Sequence, residues 1–166
     1  LKIIFYKNLR TSSWGLIGKG FYFDIKKNGK LYIGIKPVFA DYSEIQVLGK
    51  MRIGNHLTMN RYSRIISHKE IIIGNNVTIA QFVTILDHDH SYNFYNNNMK
   101  LEGYISSTIK IGNNVWISDK VTILKGVSIG DNVIIAANSV VNKNIPNNSI
   151  YGGVPAKLLK KIECEK

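Results

Sequence analysis

One cysteine, three prolines and few acidic residues are spread through 166 residues. The single thiol, Cys164, lies in a polar tail without a partner, which excludes a disulfide framework and a cysteine-based zinc site. The opening stretch LKIIFYK holds four consecutive apolar residues between lysines and no small-residue cleavage site. It is read as neither a signal peptide nor a membrane span, so a cytoplasmic location is the expectation. Eleven acidic side chains against 22 basic ones leave a formal charge of +11. Such a balance calls for an acidic partner: nucleic acid, an anionic membrane, a phosphorylated cofactor or an acidic glycan. The cations are scattered, with a mild cluster at Lys157, Lys160 and Lys161, and no nucleic-acid recognition pattern accompanies them, so nucleic acid is set aside.

What is present is a repeat. Residues 111–146 read as six six-residue units, IGNNVW, ISDKVT, ILKGVS, IGDNVI, IAANSV and VNKNIP. An even period preserves the in/out alternation of a strand and is incompatible with a sustained helical face. Aliphatic residues at 111, 117, 123, 129, 135 and 141 therefore point one way. Asn113, Asn114, Asp131 and Asn132 fall between them, residue types that tolerate the left-handed backbone of a corner. The phase runs backwards through Ile73, Ile79 and Ile85 and through Ile53, Met59 and Ile65, with weaker units in residues 33–44. The eight-residue step from Ile65 to Ile73 reads as a two-residue bulge at one corner. Strands this short must stack into a solenoid to cover their apolar faces.

The chain of 166 residues is read as one domain. Residues 1–30 are irregular and expected to cap the first coil, and residues 31–146 form the solenoid. Residues 147–166 form a tail, in which KLLKKIECEK is expected to be a short helix. Between Ile85 and Ile105 the repeat breaks into ILDHDHSYNFYNNNMKLEGY, a polar stretch expected to be a loop over residues 87–105.

Four histidines occur, His56, His68, His88 and His90, and two of them stand in Asp87-His88-Asp89-His90 where the repeat breaks. An imidazole near its neutral pKa can take a proton from an attacking hydroxyl, and an adjacent carboxylate can fix its tautomer. A solvated polar turn would have the same composition.

The repeats, the Asp-His element opening the break, the IGNNVWI unit that resumes the coil and the terminal GGVPAK occur in that order over residues 31–157. Together they resemble the sugar O-acetyltransferase branch of the hexapeptide-repeat acyltransferases, the group with galactoside, maltose and capsule or lipopolysaccharide acetyltransferases. The resemblance implies an all-β, left-handed parallel β-helix, acetyl-CoA as acyl donor, a saccharide acceptor, no metal, and a homotrimer with sites between subunits. The charge of +11 suits a polyanionic cofactor and points to an acidic glycan as acceptor. The resemblance makes His90 the general base, with His88 as the competing position and Asp87 beside it. Asn60 in MNRYSR would hold the acceptor and Trp116 would line the acceptor and acetyl-CoA pocket. The loop aromatics Tyr92, Phe94, Tyr95 and Tyr104 would either form an acceptor wall that stacks on a sugar ring or pack the loop onto the coil. Ser118, Ala136 and Ala137 would make the track for the pantetheine arm, with Gly153, Pro155 and Lys157 near the adenine end. Read without the family, Trp116 would be an interface residue, Asn60 a corner residue, and the small side chains a steric fit to tight corners.

Three other readings follow from the same residues. N-acetylation of a nucleotide-linked amino sugar would use the same base. A zinc lyase of the γ-carbonic anhydrase type needs three histidines from neighbouring coils, and His56, His68 and His88 or His90 are not spaced to stack. A solenoid used only for binding would be indifferent to His90.

Overall fold

The computed structural model describes residues 8–13 and 15–163. The lone Cys164 lies outside them. Every regular element within them is a strand, and the chain visits three flat faces in turn. The first face carries Leu9–Thr11, Lys30–Ile33, Lys50–Ile53, Glu70–Ile73, Ile109–Ile111 and Ser128–Ile129. The second carries Leu16–Ile17, Val38–Phe39, Thr58–Met59, Thr78–Ile79, Trp116–Ile117, Val133–Ile135 and Ser149–Gly152. The third carries Tyr22–Ile25, Glu44–Val47, Arg64–Ser67, Thr84–Leu86, Thr122–Ile123 and Val140–Val141. Neighbours on each face are parallel, so the molecule is a three-sided parallel β-solenoid. Parallel pairing begins at Leu9–Thr11, earlier than the repeat phase indicated, and the segment expected to be an irregular cap supplies the first coil.

Alternation directs one residue in two inward, and register stacks like on like. Ile33, Ile53, Ile73, Ile111 and Ile129 form one column, all buried. Truncating one such isoleucine to alanine costs about 2–5 kcal/mol because the rigid coils cannot close the gap.

The corners explain the polar half of the repeat. Between the first and second faces, Asn55 Oδ1 accepts from Ile35 N, Asn75 Oδ1 from Asn55 N, Asn113 Oδ1 from Asn75 N, and Asp131 Oδ1 from Asn113 N. Each coil thereby satisfies the turn below it. The glycine before each asparagine is required by proximity: a Cβ on Gly74 would lie 2.5 Å from the Gly112 carbonyl oxygen. At the corner between the second and third faces, Tyr42, Tyr62 and Phe82 adopt left-handed backbone conformations and stack their rings 5.6 and 5.1 Å apart.

The corner between the third and first faces positions the candidate site. Two extra residues, His68 and Lys69, separate Arg64–Ser67 from Glu70–Ile73, where the eight-residue step placed a bulge. One coil later the same corner throws out residues 88–106. This excursion is not the expected loop. It is an antiparallel hairpin of His88–Tyr95 and Asn98–Ser106, turning through Asn96 and Asn97, both at positive φ. Its polar composition masked alternating Tyr, Phe, Leu and Ile residues that suit a two-stranded ribbon.

Among the described residues the expected C-terminal helix is also absent. Lys157–Lys161 is a strand antiparallel to Ser149–Gly152. The last parallel strand has an open edge whose unpaired N–H and C=O groups accept a partner, and a lysine-rich strand covers it.

Candidate active site

Asp87 ends the strand Thr84–Leu86 and is fully buried at the root of the hairpin. Its Oδ1 accepts from His68 N at 2.7 Å and its Oδ2 from Lys69 N at 2.8 Å, and the Ser67 hydroxyl lies 3.1 Å from Oδ2. A buried carboxylate is tolerated where such donors replace water. These bonds clamp the two-residue bulge of one coil under the hairpin of the next. Ser107 N, donating to Asp87 O at 2.8 Å, closes the hairpin base.

His88 follows, with Nδ1 3.4 Å from Asp87 Oδ1. Its ring lies on that of His68, with centroids 3.5 Å apart and planes 11° from parallel. Tyr104, from the returning hairpin strand, meets both rings edge-on. Its own centroid is 4.6 Å from that of His90, which it faces in register. His88 and His90 share one hairpin face because side chains alternate along a strand. Asp89, between them, points the other way and pairs with Lys125 of the next coil. His88 retains 12% side-chain exposure, whereas His90 is open to solvent. Burial lowers the pKa of His68 below 6.5; the charges of His88 and His90 add to this and Asp87 opposes it.

The structure thus joins Asp87, His88 and His90 with Tyr104 and with His68, which sequence reasoning placed in no site. The signal was present. His68 and His88 are one 20-residue coil apart, so they do stack, contrary to the spacing argument made for the histidines. His56 lies at a different corner, between the first and second faces, with φ 57°. Among the described residues no group of three His, Cys, Asp or Glu side chains is arranged to hold a metal ion.

The other candidate residues form a second assembly. Asn60, Ser118 and Ala136 each follow a strand of the second face and occupy one column at its edge. Asn60 Nδ2 donates to Ile79 O at 3.1 Å. Trp116 projects outward from this face, half exposed, and Ala137 sits beside Ala136 on the corner. Gly153 and Pro155 lie in the turn that carries the tail back along the same face, and Lys157 opens the returning strand; Ser139 Oγ accepts from Gly153 N at 3.0 Å. Gly152 permits that return: a Cβ there would come within 2.9 Å of Ala136 Cβ and Leu159 Cδ1. Tyr92 belongs to neither assembly. It is well exposed on the hairpin past a bulge, and its ring neighbour is Phe94.

In a three-sided coil the corner joining the third and first faces is opposite the second face. The histidine cluster and the Trp116 column are therefore on opposite sides of one chain, and no ring contact joins them among the described residues.

Comparison with known proteins bears on this arrangement. A maltose O-acetyltransferase from Clostridium difficile 630 superposes with TM-score 0.59 and 32% identity, over 90% of this chain and 70% of its own. The chain belongs to the hexapeptide-repeat acyltransferases. The model of the bacterial transferase hexapeptide family, in its six-repeat form, matches residues 108–143. A crystal structure of galactoside acetyltransferase in complex with coenzyme A aligns with TM-score 0.58 and 28% identity, over 93% of this chain and 64% of that one. The galactoside O-acetyltransferase of Escherichia coli (strain K12) is 51% identical over 57 residues, 34% of this chain and 28% of the relative. The matched segments span between 28% and 31% of the first three curated relatives. Within this hexapeptide-repeat acyltransferase, residues 111–146 carry Trp116, Ser118, Ala136 and Ala137 of the second-face assembly, and the histidine hairpin interrupts the coil just before them.

Proposed function

We propose that this chain transfers an acetyl group from acetyl-CoA to a hydroxyl of a saccharide, with His90 as general base, in the cytoplasmic modification of a surface polysaccharide or its precursor. The observation that carries the reading is the hairpin root, where a buried carboxylate fixes a histidine-bearing strand at one corner. His90 Nε2 or Nδ1 removes the acceptor proton as its oxygen bonds to the thioester carbonyl carbon. The C–S bond then breaks, and the imidazolium returns its proton to the departing thiolate. Coil-edge N–H groups supply the oxyanion contact.

Names of relatives support the donor and acceptor classes: the galactoside enzyme was crystallised with coenzyme A, and the maltose enzyme acts on a sugar. The second face fits the donor. Ser118, Ala136 and Ala137 leave a shallow track beside Trp116, and the exposed Lys157 ends it with a charge for a phosphate. Because the histidine corner is opposite that track, one chain does not complete the site. A homotrimer that sets the histidines of one subunit against Trp116 of the next does. Asn60, at the edge of the second face, and Tyr92, on the hairpin, are the acceptor contacts assigned in this proposal.

A second reading makes His88 the base, favoured by its contact with Asp87. Acetyl-CoA turnover against a panel of hydroxy and amino sugars, for the wild type and for His90→Ala and His88→Ala, decides between them. Loss of kcat by about 10²–10⁴ in His90→Ala is expected. Retention there with loss in His88→Ala transfers the role to His88. Turnover confined to a nucleotide-linked amine, or activity indifferent to both histidines, overturns the proposal.

A further inference from the structure

The outward side of the first face carries two columns. Lys30, Lys50 and Glu70 are in register in one, and Arg10, Tyr32, Arg52, Ile72 and Lys110 in the other. Arg10, Lys30, Lys50, Arg52 and Tyr32 line a shallow groove of about 590 Å³. All four cations are exposed, and none is in an ion pair among the described residues. The one acid in these columns is Glu70, one rung above Lys50. Lys30 and Lys50, adjacent in register about 4.8 Å apart, repel one another, and an anion over the groove would relieve that repulsion.

We infer that this groove binds an anionic saccharide chain, the polymeric acceptor of the acetyl transfer proposed above, on which the inference rests. Three observations favour a glycan over other polyanions. Arg10 and Arg52 flank Tyr32, which offers a half-exposed ring for a sugar face, while guanidinium groups on either side match carboxylates. The Tyr32 hydroxyl is 3.1 Å from Ser12 Oγ, so the ring is held over the sheet. The groove also lies below the candidate site, since its Lys50 is in register with Glu70, two residues after His68. Lys50 is one coil below the His68 bulge and two below His88, a rise of about 10 Å, the length of a few sugar units. An anionic chain held at Arg10 to Arg52 would therefore present a neighbouring sugar at the hairpin root.

The test is direct binding of a hexagalacturonate to wild-type protein, to Lys50→Gln/Arg52→Gln, and to Lys36→Gln/Lys143→Gln, which removes equal charge elsewhere. The expected result is binding weakened about tenfold in the first variant and unchanged in the second, with affinity falling as salt rises from about 50 to about 200 mM. Equal affinity in wild type and both variants, or no binding, overturns the inference. So does tighter, groove-dependent binding of a DNA 20-mer or of phosphatidylglycerol vesicles, which would make the face a nucleic-acid or membrane surface. His90→Ala is expected to bind the hexamer as wild type does. Groove-dependent binding by a protein that acetylates no saccharide supports the groove while sinking the catalytic reading, so the two fail separately.

Discussion

His88 lies flat on His68 of the coil below, and one buried carboxylate, Asp87, accepts from the backbone N–H of His68 and contacts the ring of His88. The period of the solenoid thereby turns a two-residue bulge in one coil into the floor of a candidate site in the next. The arrangement has measurable consequences.

Asp87→Asn is expected to lower unfolding free energy by about 1–3 kcal/mol, because an amide turns an N–H₂ toward donors that two carboxylate oxygens now satisfy. Urea titration checks it. Acetyl transfer should fall by more than the unfolded fraction accounts for, since the same change releases the hairpin strand.

The depressed pKa of His68 gives stability a sign with pH. The folded protein binds this proton less readily than the unfolded chain, whose histidine titrates near 6.5. Stability from this group is therefore fully present above 6.5 and is lost as pH falls through the lowered folded value. His68→Phe keeps a ring under His88 without the titration. Its thermal midpoint should fall less steeply with acid than that of the wild type, and an unchanged slope would count against the assignment.

Asn75→Ala removes the acceptor for Asn55 N and a donor to Asn113 Oδ1 at one rung of the corner ladder. A cost of about 1–3 kcal/mol is expected from the orphaned amide, read from denaturant midpoints. Because coils couple only to their neighbours, hydrogen exchange should quicken most in the coils containing Asn55 and Asn75.

Gly152→Ala should detach the tail. Its methyl group would meet Ala136 Cβ, which cannot move, so the strand Lys157–Lys161 should lift and become sensitive to trypsin at Lys157, Lys160 and Lys161. Cleavage no faster than in the wild type would contradict this close approach.

The Ile and Asn positions of the repeat could be read directly, since both act through one local rule: alternate side chains enter the core, and corner residues serve the coil below. The hairpin was less legible. Two strands that pair only with each other carry no hexapeptide phase, and asparagines at 93 and 96–98 gave residues 87–105 the look of a loop. The tail failed for a similar reason. KLLKK has the composition of a helix, but the open edge at Ser149–Gly152 offers hydrogen bonds that a short isolated helix could not match.

What the sequence by itself determined is the solenoid and the location of its break, because a six-residue period admits few other ways of burying its aliphatic side chains. The tertiary structure alone decided which distant residues meet there. His68 reaches His88 because a coil is 20 residues long at that point, and Trp116 is kept from both because a triangular section puts a face opposite each corner. Those are facts of closure, set by how coils stack in three dimensions, and no window along the chain contains them.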